Sequence, residues 1–173
     1  MLTRYTAAPI SAEHKLEDFN CGNLVLNSWL RNNALRASRQ GTAQTTVLTE
    51  EGDLKVVGYY ALSPTEVNRS ELPSKAAGGN STVPGYLLAK LALDQTVQGQ
   101  GLGADLLGKA LEKIVTAAGL VAGRVVVVDA IDDSALQFYI RHGFRQIPGS
   151  MRSFRLISEV RDSQTLSPAH SLQ

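Results

Sequence analysis

Apolar residues recur at helical spacing near the start of the chain and at strand spacing after it. In residues 23–38 they return every three or four positions, and the run ends near Gly41, which predicts one helix. Residues 42–50 and 54–63 are rich in β-branched and aromatic side chains, and the turn-forming residues 51–53 separate them. The first part of the chain therefore predicts a helix followed by a β-hairpin.

Strands and helices alternate in the rest of the chain. Residues 68–85 contain two prolines and three glycines and predict a loop, whereas the strongly apolar residues 86–94 predict a central strand. The next segments predict a helix, a buried strand, a short helix and two closing strands, at about 103–118, 124–131, 134–142, 144–148 and 153–160. This order indicates an α/β protein with a mixed sheet.

Composition fits one globular domain. With 173 residues, of which 43% are hydrophobic and 19% charged, the chain can bury one core. We assign residues 1–161 to this domain and residues 162–173 to a polar C-terminal tail. No apolar run reaches the ~18 residues of a membrane span, and the N-terminus lacks the apolar segment of a signal peptide. A single cysteine, Cys21, also excludes an internal disulfide and a cysteine metal cluster. We expect a cytoplasmic protein without bound metal or membrane contact.

The arginines are unevenly distributed although the net charge is only +1. Residues 19–49 and 134–158 contain no aspartate or glutamate. The candidate phosphate-binding arginines in these two segments are Arg31, Arg36, Arg39, Arg141, Arg145 and Arg152. Clustered arginines without counter-charges predict a local positive field that attracts polyanions. The alternative interpretation is that they are scattered, solvated side chains.

Three glycines, Gly99, Gly101 and Gly103, stand between the apolar strand and the following helix. Glycine lets a ligand approach the main chain, and a helix N-terminus offers unpaired N–H groups with a partial positive charge. Together they predict a site for phosphate or diphosphate. The spacing matches neither the P-loop nor the dinucleotide-binding motif. The alternative is a flexible turn without a ligand.

Two motifs carry a resemblance to a known family. Residues 98–103, QGQGLG, resemble the acetyl-CoA motif of the GNAT family of N-acetyltransferases, Gln/Arg-x-x-Gly-x-Gly/Ala. Residues 137–144, QFYIRHGF, are similar to the family's later motif, an aromatic pair followed by Gly-Phe. Residues 19–30, 56–63 and 88–94 further resemble the acetyltransferase toxins of type II toxin–antitoxin modules. The resemblance implies the GNAT fold, with a mixed, mostly antiparallel sheet, flanking helices and a V-shaped strand splay at the acetyl-CoA site.

The resemblance also implies roles for individual residues. A splayed strand would bind the pantetheine arm of the cosubstrate acetyl-CoA, and the N–H groups of residues 99–104 would bind its diphosphate. The implied cofactor-binding residues are Leu91, Leu93, Gln98, Gly99, Gln100, Gly101, Gly103, Ala104 and Phe138. Tyr139 occupies the position of the family's general acid, and a phenol with a pKa of ~10 is protonated at neutral pH. The alternative for Tyr139 is a packed aromatic side chain with a satisfied hydroxyl.

The toxin branch implies a substrate and a partner. Its members acetylate the α-amino group of aminoacyl-tRNA and so block translation, and a ribbon-helix-helix antitoxin holds them inactive. Relatives often form homodimers. No residue stands out as a general base, and an α-amino group with a pKa of ~7.7–8.0 is partly neutral without one. Two alternatives are an acetyltransferase for a small amine or a protein N-terminus, and a non-catalytic acyl-CoA-binding module.

Overall fold

A computed structural model of the chain describes residues 2–166. The strands are β1 (Tyr5–Pro9), β2 (Gln44–Glu50), β3 (Val56–Asn68), β4 (Thr82–Leu93), β5 (Val125–Asp129), β6 (Arg145–Gln146) and β7 (Arg152–Leu156). The helices are α1 (Leu24–Asn32), α2 (Ala34–Gln40), α3 (Ser74–Ala77), α4 (Leu102–Val121), α5 (Asp133–Arg141) and α6 (Ile157–Leu166). Two 3₁₀ turns, Arg69–Glu71 and Gln95–Val97, precede α3 and α4.

The strands of the described residues form one sheet in the order β1-β2-β3-β4-β5-β7-β6. β4 and β5 are parallel, whereas the pairs β1–β2, β2–β3, β5–β7 and β6–β7 are antiparallel. β3 and β4 are antiparallel too, because the Asp94 N–H donates to the Val57 carbonyl and the Arg69 N–H donates to the Ser81 carbonyl. The predicted α/β fold with a mixed, mostly antiparallel sheet is confirmed, and the predicted central strand is the fourth of seven.

The described residues form two compact units, and the first comprises residues 2–63 and 90–110. Its core lies beneath α1, where Leu26 and Leu30 are buried. Burial of each leucine stabilises the fold by roughly 1.5–3 kcal/mol. The Tyr59 hydroxyl donates to the Leu26 carbonyl at 2.7 Å, and the Trp29 ring stacks on the Tyr59 ring with centroids 6.1 Å apart. Helix α1 is thus fixed to the sheet by apolar packing and by one buried hydrogen bond.

The single helix predicted over residues 23–38 is wrong, because the segment forms two helices. Asn23 caps α1 by accepting a hydrogen bond from the Leu26 N–H at 3.0 Å. Asn33 interrupts the helical path with φ −125°. Asparagine competes for backbone hydrogen bonds and so disfavours helix interiors, which explains a break here. The predicted end is confirmed, since Gly41 follows α2 in the left-handed region at φ 74°.

The predicted hairpin is confirmed, with β2 and β3 paired around a turn in which Gly52 has φ 83°. Strand β1, by contrast, was not predicted. It pairs with β2 from Tyr5 opposite Glu50 to Pro9 opposite Thr46. Its alanines carry little strand signal, and a proline is tolerated because this strand lies at the edge of the sheet.

The second unit comprises residues 64–89 and 111–166 of the described chain, and its core surrounds β5. All four valines of β5 are buried, which confirms the predicted buried strand. The loop predicted over residues 68–85 is shorter, because β3 runs to Asn68 and β4 begins at Thr82. Gly85 of β4 lies opposite Val125, and a Cβ at Gly85 would collide with the Val125 carbonyl oxygen. The absence of a side chain therefore permits this close strand pairing.

The end predicted for the long helix at Gly119 is wrong, because α4 continues to Val121. The buried face of α4 ends at Ala118, and residues 119–121 extend the helix while exposed. A glycine inside a helix costs only ~1 kcal/mol, so Gly119 does not have to end it. The chain leaves the helix at Ala122, whose φ is 73°.

The strand predicted over residues 153–160 is also wrong in its second half. β7 ends at Leu156, and α6 follows. Ile157 and Val160 are buried three positions apart while the residues between them are exposed, which is helical spacing. Residues 162–166 of the predicted polar tail belong to α6, and residues 167–173 lie outside the described residues.

Candidate functional site

The glycine-rich turn leads directly into α4. Gly99 and Gly101 have φ values of 78° and 82°, in the left-handed region that favours glycine. A Cβ built at either glycine has no heavy atom within 4 Å, so the space beside the turn is open. The first helical hydrogen bond runs from the Asp105 N–H to the Gly101 carbonyl at 3.4 Å. The N–H groups of residues 102–104 therefore have no partner within the helix, as an anion site requires.

The strand that precedes the turn offers further main-chain groups. The Asp94 N–H points to β3, so by alternation the N–H groups of Leu91 and Leu93 point to the opposite side of β4. On that side the pairing of β4 with β5 runs only from Gly85 to Leu88. The Leu93 side chain packs against Gly58, where a built Cβ would lie 2.8 Å from Leu93 Cδ2. Residues 91–93 can therefore pair with an extended, amide-bearing ligand.

The turn is tied to the loop of residues 19–22. Gln98 Nε2 donates to the Leu93 carbonyl at 2.9 Å and to the Cys21 carbonyl at 3.2 Å. Asp94 accepts the Asn20 N–H at 2.9 Å. The structure thus joins Gln98 to the strand that contains Leu91 and Leu93, and it adds Asn20 and Asp94, which were not predicted as site residues. The sequence signals for them were the toxin-like segments of residues 19–30 and 88–94, and a linear motif does not reveal that the two residues meet.

Phe138 and Tyr139 lie on α5 in the second unit. Asp132 caps this helix by accepting the Ala135 N–H at 2.7 Å. The Tyr139 side chain is 6% exposed, and its ring makes edge-to-face contacts with Phe138 and Phe144 at 5.3 and 5.6 Å.

Burial of Tyr139 raises the pKa of its phenol well above the usual value of ~10. No group of residues 2–166 hydrogen-bonds to its hydroxyl. Tyr139 is therefore a buried phenol that stays neutral at physiological pH.

The arginines of the first unit are exposed. Arg36 and Arg39 project from α2, and Arg31 lies at the end of α1. Arg31 donates to the Phe19 carbonyl at 2.8 Å, which holds its guanidinium in place without neutralising it. None of the three forms an ion pair with a described residue. Their charges are available to an anionic partner.

The expectation that the second acid-free segment lacks counter-charges is wrong. Arg152 binds Asp129 through two hydrogen bonds of 2.7 and 2.9 Å, and it lies 3.8 Å from Glu71. Arg145 pairs with Glu159 at 3.3 Å. The hydrogen bond from Arg152 is the main reason why the pKa of Asp129 is lowered. These acids come from elements distant in sequence. Arg145 and Arg152 are therefore ion-paired although their own segment contains no acidic residue. Arg141 is exposed and has no ion pair with a described residue.

Residues 2–166 contain no group of three or more histidine, cysteine, aspartate or glutamate residues placed to hold a metal ion. No helix among these residues is both long and apolar enough to cross a membrane.

The family model for the acetyltransferase (GNAT) domain matches residues 42–146. The chain belongs to the GNAT family. This GNAT protein is an acetyl-CoA-dependent N-acetyltransferase, and acetyl-CoA is its cosubstrate. The matched range contains both the glycine turn and Tyr139.

The relatives of this GNAT enzyme include named toxins. It is 34% identical over 140 residues to the tRNA-acetylating toxin of Mycobacterium tuberculosis (strain ATCC 25618 / H37Rv), covering 80% of this chain and 83% of the relative. It is 25% identical over 159 residues to the probable toxin TacT of Sinorhizobium fredii (strain NBRC 101917 / NGR234), covering 86% and 88% of the two chains.

Solved structures agree over nearly the whole chain. A tyrosine-to-phenylalanine mutant of KacT has a TM-score of 0.87 at 26% identity, covering 92% of this chain and 99% of KacT. AtaT complexed with acetyl-methionyl-tRNAfMet has a TM-score of 0.85 at 26% identity, covering 92% and 98%. A tyrosine-to-phenylalanine mutant of the AtaT toxin, bound to the C-terminus of the antitoxin AtaR and to acetyl-CoA, has a TM-score of 0.82 at 25% identity, covering 93% and 98%.

Proposed function

We propose that this GNAT enzyme transfers the acetyl group of acetyl-CoA to the α-amino group of aminoacyl-tRNA and thereby inhibits translation as the toxin of a type II toxin–antitoxin system. The observation that carries the proposal is the similarity to tRNA-acetylating toxins over most of both chains. The exposed arginines of α1 and α2 support a polyanionic substrate. The alternative substrate is a small amine or a protein N-terminus.

Acetyl-CoA binds along β4 and the glycine turn in this proposal. The N–H groups of residues 99–104 hold the diphosphate, and the main chain of Leu91 and Leu93 pairs with the pantetheine arm. Gln98, Gln100 and Phe138 complete the cofactor site. The open space beside Gly99 and Gly101 and the unpaired start of α4 support this placement.

The amine nitrogen attacks the thioester carbonyl carbon, and the C–S bond then breaks. The nitrogen loses a proton to solvent, the departing thiolate gains one from the Tyr139 phenol, and solvent returns a proton to the resulting phenolate. A backbone N–H near Leu93 faces the developing oxyanion, an interaction worth about 3–4 kcal/mol in other enzymes. The Tyr139 phenol is neutral at physiological pH and its hydroxyl has no partner among the described residues, which supports its role as the general acid.

Further proposals concern assembly. A ribbon-helix-helix antitoxin is the proposed partner, the chain is proposed to form a homodimer, and the location is proposed to be the cytoplasm. AtaT is bound to the antitoxin AtaR in a similar structure, which supports an antitoxin partner. We keep the proposed division into a domain of residues 1–161 and a tail of residues 162–173.

The deciding experiment incubates the protein with labelled acetyl-CoA and a total pool of charged tRNA. Mass spectrometry of nuclease-released aminoacyl-adenosine should find the label on the amino acid nitrogen, and uncharged tRNA is the control. Label on small amines or protein N-termini, with charged tRNA unmodified, would establish the alternative instead.

The Tyr139→Phe variant tests the acid. It should bind acetyl-CoA as the wild type does, while turnover falls by about 10²–10⁴-fold because proton transfer is lost. Tyr59→Phe is the matched control, since it also removes a buried hydroxyl but one that donates to Leu26. Equal turnover of Tyr139→Phe and wild type would remove Tyr139 from the mechanism.

A further inference from the structure

Residues 98–101 of the glycine turn have no buried side chain of their own, and the buried apolar residues nearest to them are Val97 and Leu102 at its two ends. A Cβ built at Gly99 or Gly101 meets nothing within 4 Å, and residues 98–101 are exposed. Glycine also has the widest choice of backbone conformation, so the turn must be held by other groups. Polar contacts at its base are the candidates.

Those contacts form one hydrogen-bonded cluster, which we call the Asn20 brace and define by Asn20, Asn27, Asp94 and Gln98. Asn20 donates its N–H to Asp94, and its carbonyl accepts the Gln95 N–H at 2.9 Å. The Asn20 side-chain oxygen accepts the Gly22 N–H at 2.9 Å and Asn27 Nδ2 at 3.0 Å. Asn27 in turn accepts the Cys21 N–H at 2.8 Å. The cluster thus bonds to the chain at Asp94 and at Gln98, on either side of the 3₁₀ turn Gln95–Val97.

Asp94 is the anchor of the brace. It is 5% exposed, and its carboxylate accepts three hydrogen bonds: from the Asn20 N–H, from the Thr96 N–H at 3.0 Å and from the Thr96 hydroxyl at 2.7 Å. Burial acts to raise the pKa of Asp94, but the hydrogen bonds from Thr96 and Asn20 outweigh it, so the pKa is lowered. The Asp94 carboxylate therefore fixes the positions of the Asn20 and Thr96 donors relative to each other, since removal of any donor or acceptor would leave a buried polar group unsatisfied.

The fit around Gly22 is equally close. Gly22 has φ 90°, and a Cβ there would lie 2.8 Å from Gln95 Nε2. The loop of residues 19–22 therefore lies against the Gln95 side chain of the 3₁₀ turn, and the positive φ of Gly22 favours glycine at this position.

We propose that Asn20 and Asp94 are positioning residues that hold the glycine turn in the conformation that binds the diphosphate of acetyl-CoA, while neither contacts the cosubstrate. This inference rests on the proposed cofactor site. The brace acts only at the phosphate end of the ligand, so its loss should weaken diphosphate binding and leave the pantetheine end unaffected.

Calorimetric titration with CoA and with pantetheine, which lacks the diphosphate, separates these effects. In Asp94→Ala, the dissociation constant for CoA should rise about tenfold or more, the size expected for unsatisfied buried groups. Asn20→Ala keeps the main-chain bonds to Asp94 and Gln95 and loses only the side-chain bonds to Gly22 and Asn27, so its effect on CoA binding should be smaller. The constant for pantetheine should stay within about twofold, because the strand is unchanged. The value of kcat at saturating acetyl-CoA should also be retained.

Asn20→Ala keeps the test decisive if Asp94→Ala fails to fold, because Asn20 is exposed whereas Asp94 is buried. It should weaken CoA binding selectively too, by a smaller factor. Tyr59→Phe, which removes a buried hydrogen bond elsewhere in the same unit, should leave both affinities unchanged.

Equal losses of affinity for CoA and for pantetheine, or no loss of CoA affinity in the folded variants, would refute the positioning role of Asn20 and Asp94. A wild-type protein that binds CoA no more tightly than pantetheine would instead refute the diphosphate site itself. The two failures are therefore distinguishable.

Discussion

At the scale of single residues, Tyr139 places a phenol hydroxyl in apolar surroundings. Edge-to-face contacts with Phe138 and Phe144 fill its surroundings with carbon, and that burial keeps the phenol protonated. The motif around Tyr139 was predictable because its residues are contiguous on one short helix. The Asn20 brace was not, since Asn20 and Asp94 are 74 positions apart and only the fold brings them together.

The raised pKa of Tyr139 predicts the alkaline side of the pH profile. Because burial shifts its deprotonation above the usual value of ~10, kcat should not fall between pH 8 and about 10. The rate should rise by no more than about twofold above pH 8, since an α-amino group with a pKa of ~7.7–8.0 is already at least half neutral there. Turnover should be measured with an amide-linked aminoacyl-tRNA analogue, because the natural ester hydrolyses in alkali. A steep rise up to pH 9 would indicate a more basic acceptor amine, and a decline near pH 9 would indicate a solvated acid.

At the scale of elements, the hydrophobic pattern predicted which segments are helical or extended better than where they end. The buried strand β5 and the capped helix α5 were correctly placed, because their signals are local. The ends of α4 and β7 were not. Helix α4 continues through Gly119 over residues 119–121, which are exposed, and one helical glycine costs only ~1 kcal/mol. The end of β7 depends on tertiary packing, since the burial of Ile157 and Val160 begins α6.

Two glycines in different elements should respond oppositely to alanine. Gly85→Ala places a Cβ against the Val125 carbonyl oxygen and 2.7 Å from Val125 Cγ2, so the free energy of unfolding should fall by about 1–3 kcal/mol. Gly108→Ala, inside α4 with open space around it, should raise it by about 0.5–1 kcal/mol because helix propensity improves. Urea unfolding measures both. A neutral Gly85→Ala would mean that β4 and β5 are further apart than described.

At the scale of the whole molecule, a net charge of +1 hides two different arginine populations. Arg31, Arg36 and Arg39 have no ion pair with a described residue. Arg145, by contrast, pairs with Glu159, and Arg152 pairs with Asp129 and Glu71. Counting acids along the sequence predicted the first population correctly. It failed for the second because ion pairs form between elements distant in sequence.

Salt dependence distinguishes the two populations. The double variant Arg36→Ala/Arg39→Ala should reduce the slope of log(kcat/KM) for charged tRNA against log[salt] by about one for each phosphate that the enzyme no longer binds. Arg152→Ala should leave that slope unchanged and lower the melting temperature, because Asp129 loses its partner. The assay should span about 50–300 mM salt, where counterion release is measurable. A slope changed by Arg152→Ala alone would show that tRNA displaces Asp129.

Strand β4 continues over residues 89–93 after its pairing with β5 ends at Leu88. Unpaired strand edges are templates on which other chains add and aggregate. A ligand that occupies such an edge shields it and adds its binding free energy to folding. Acetyl-CoA should thus act as a solubility factor for this protein as well as an acyl donor, and the ligand-free chain should be the form most prone to self-association.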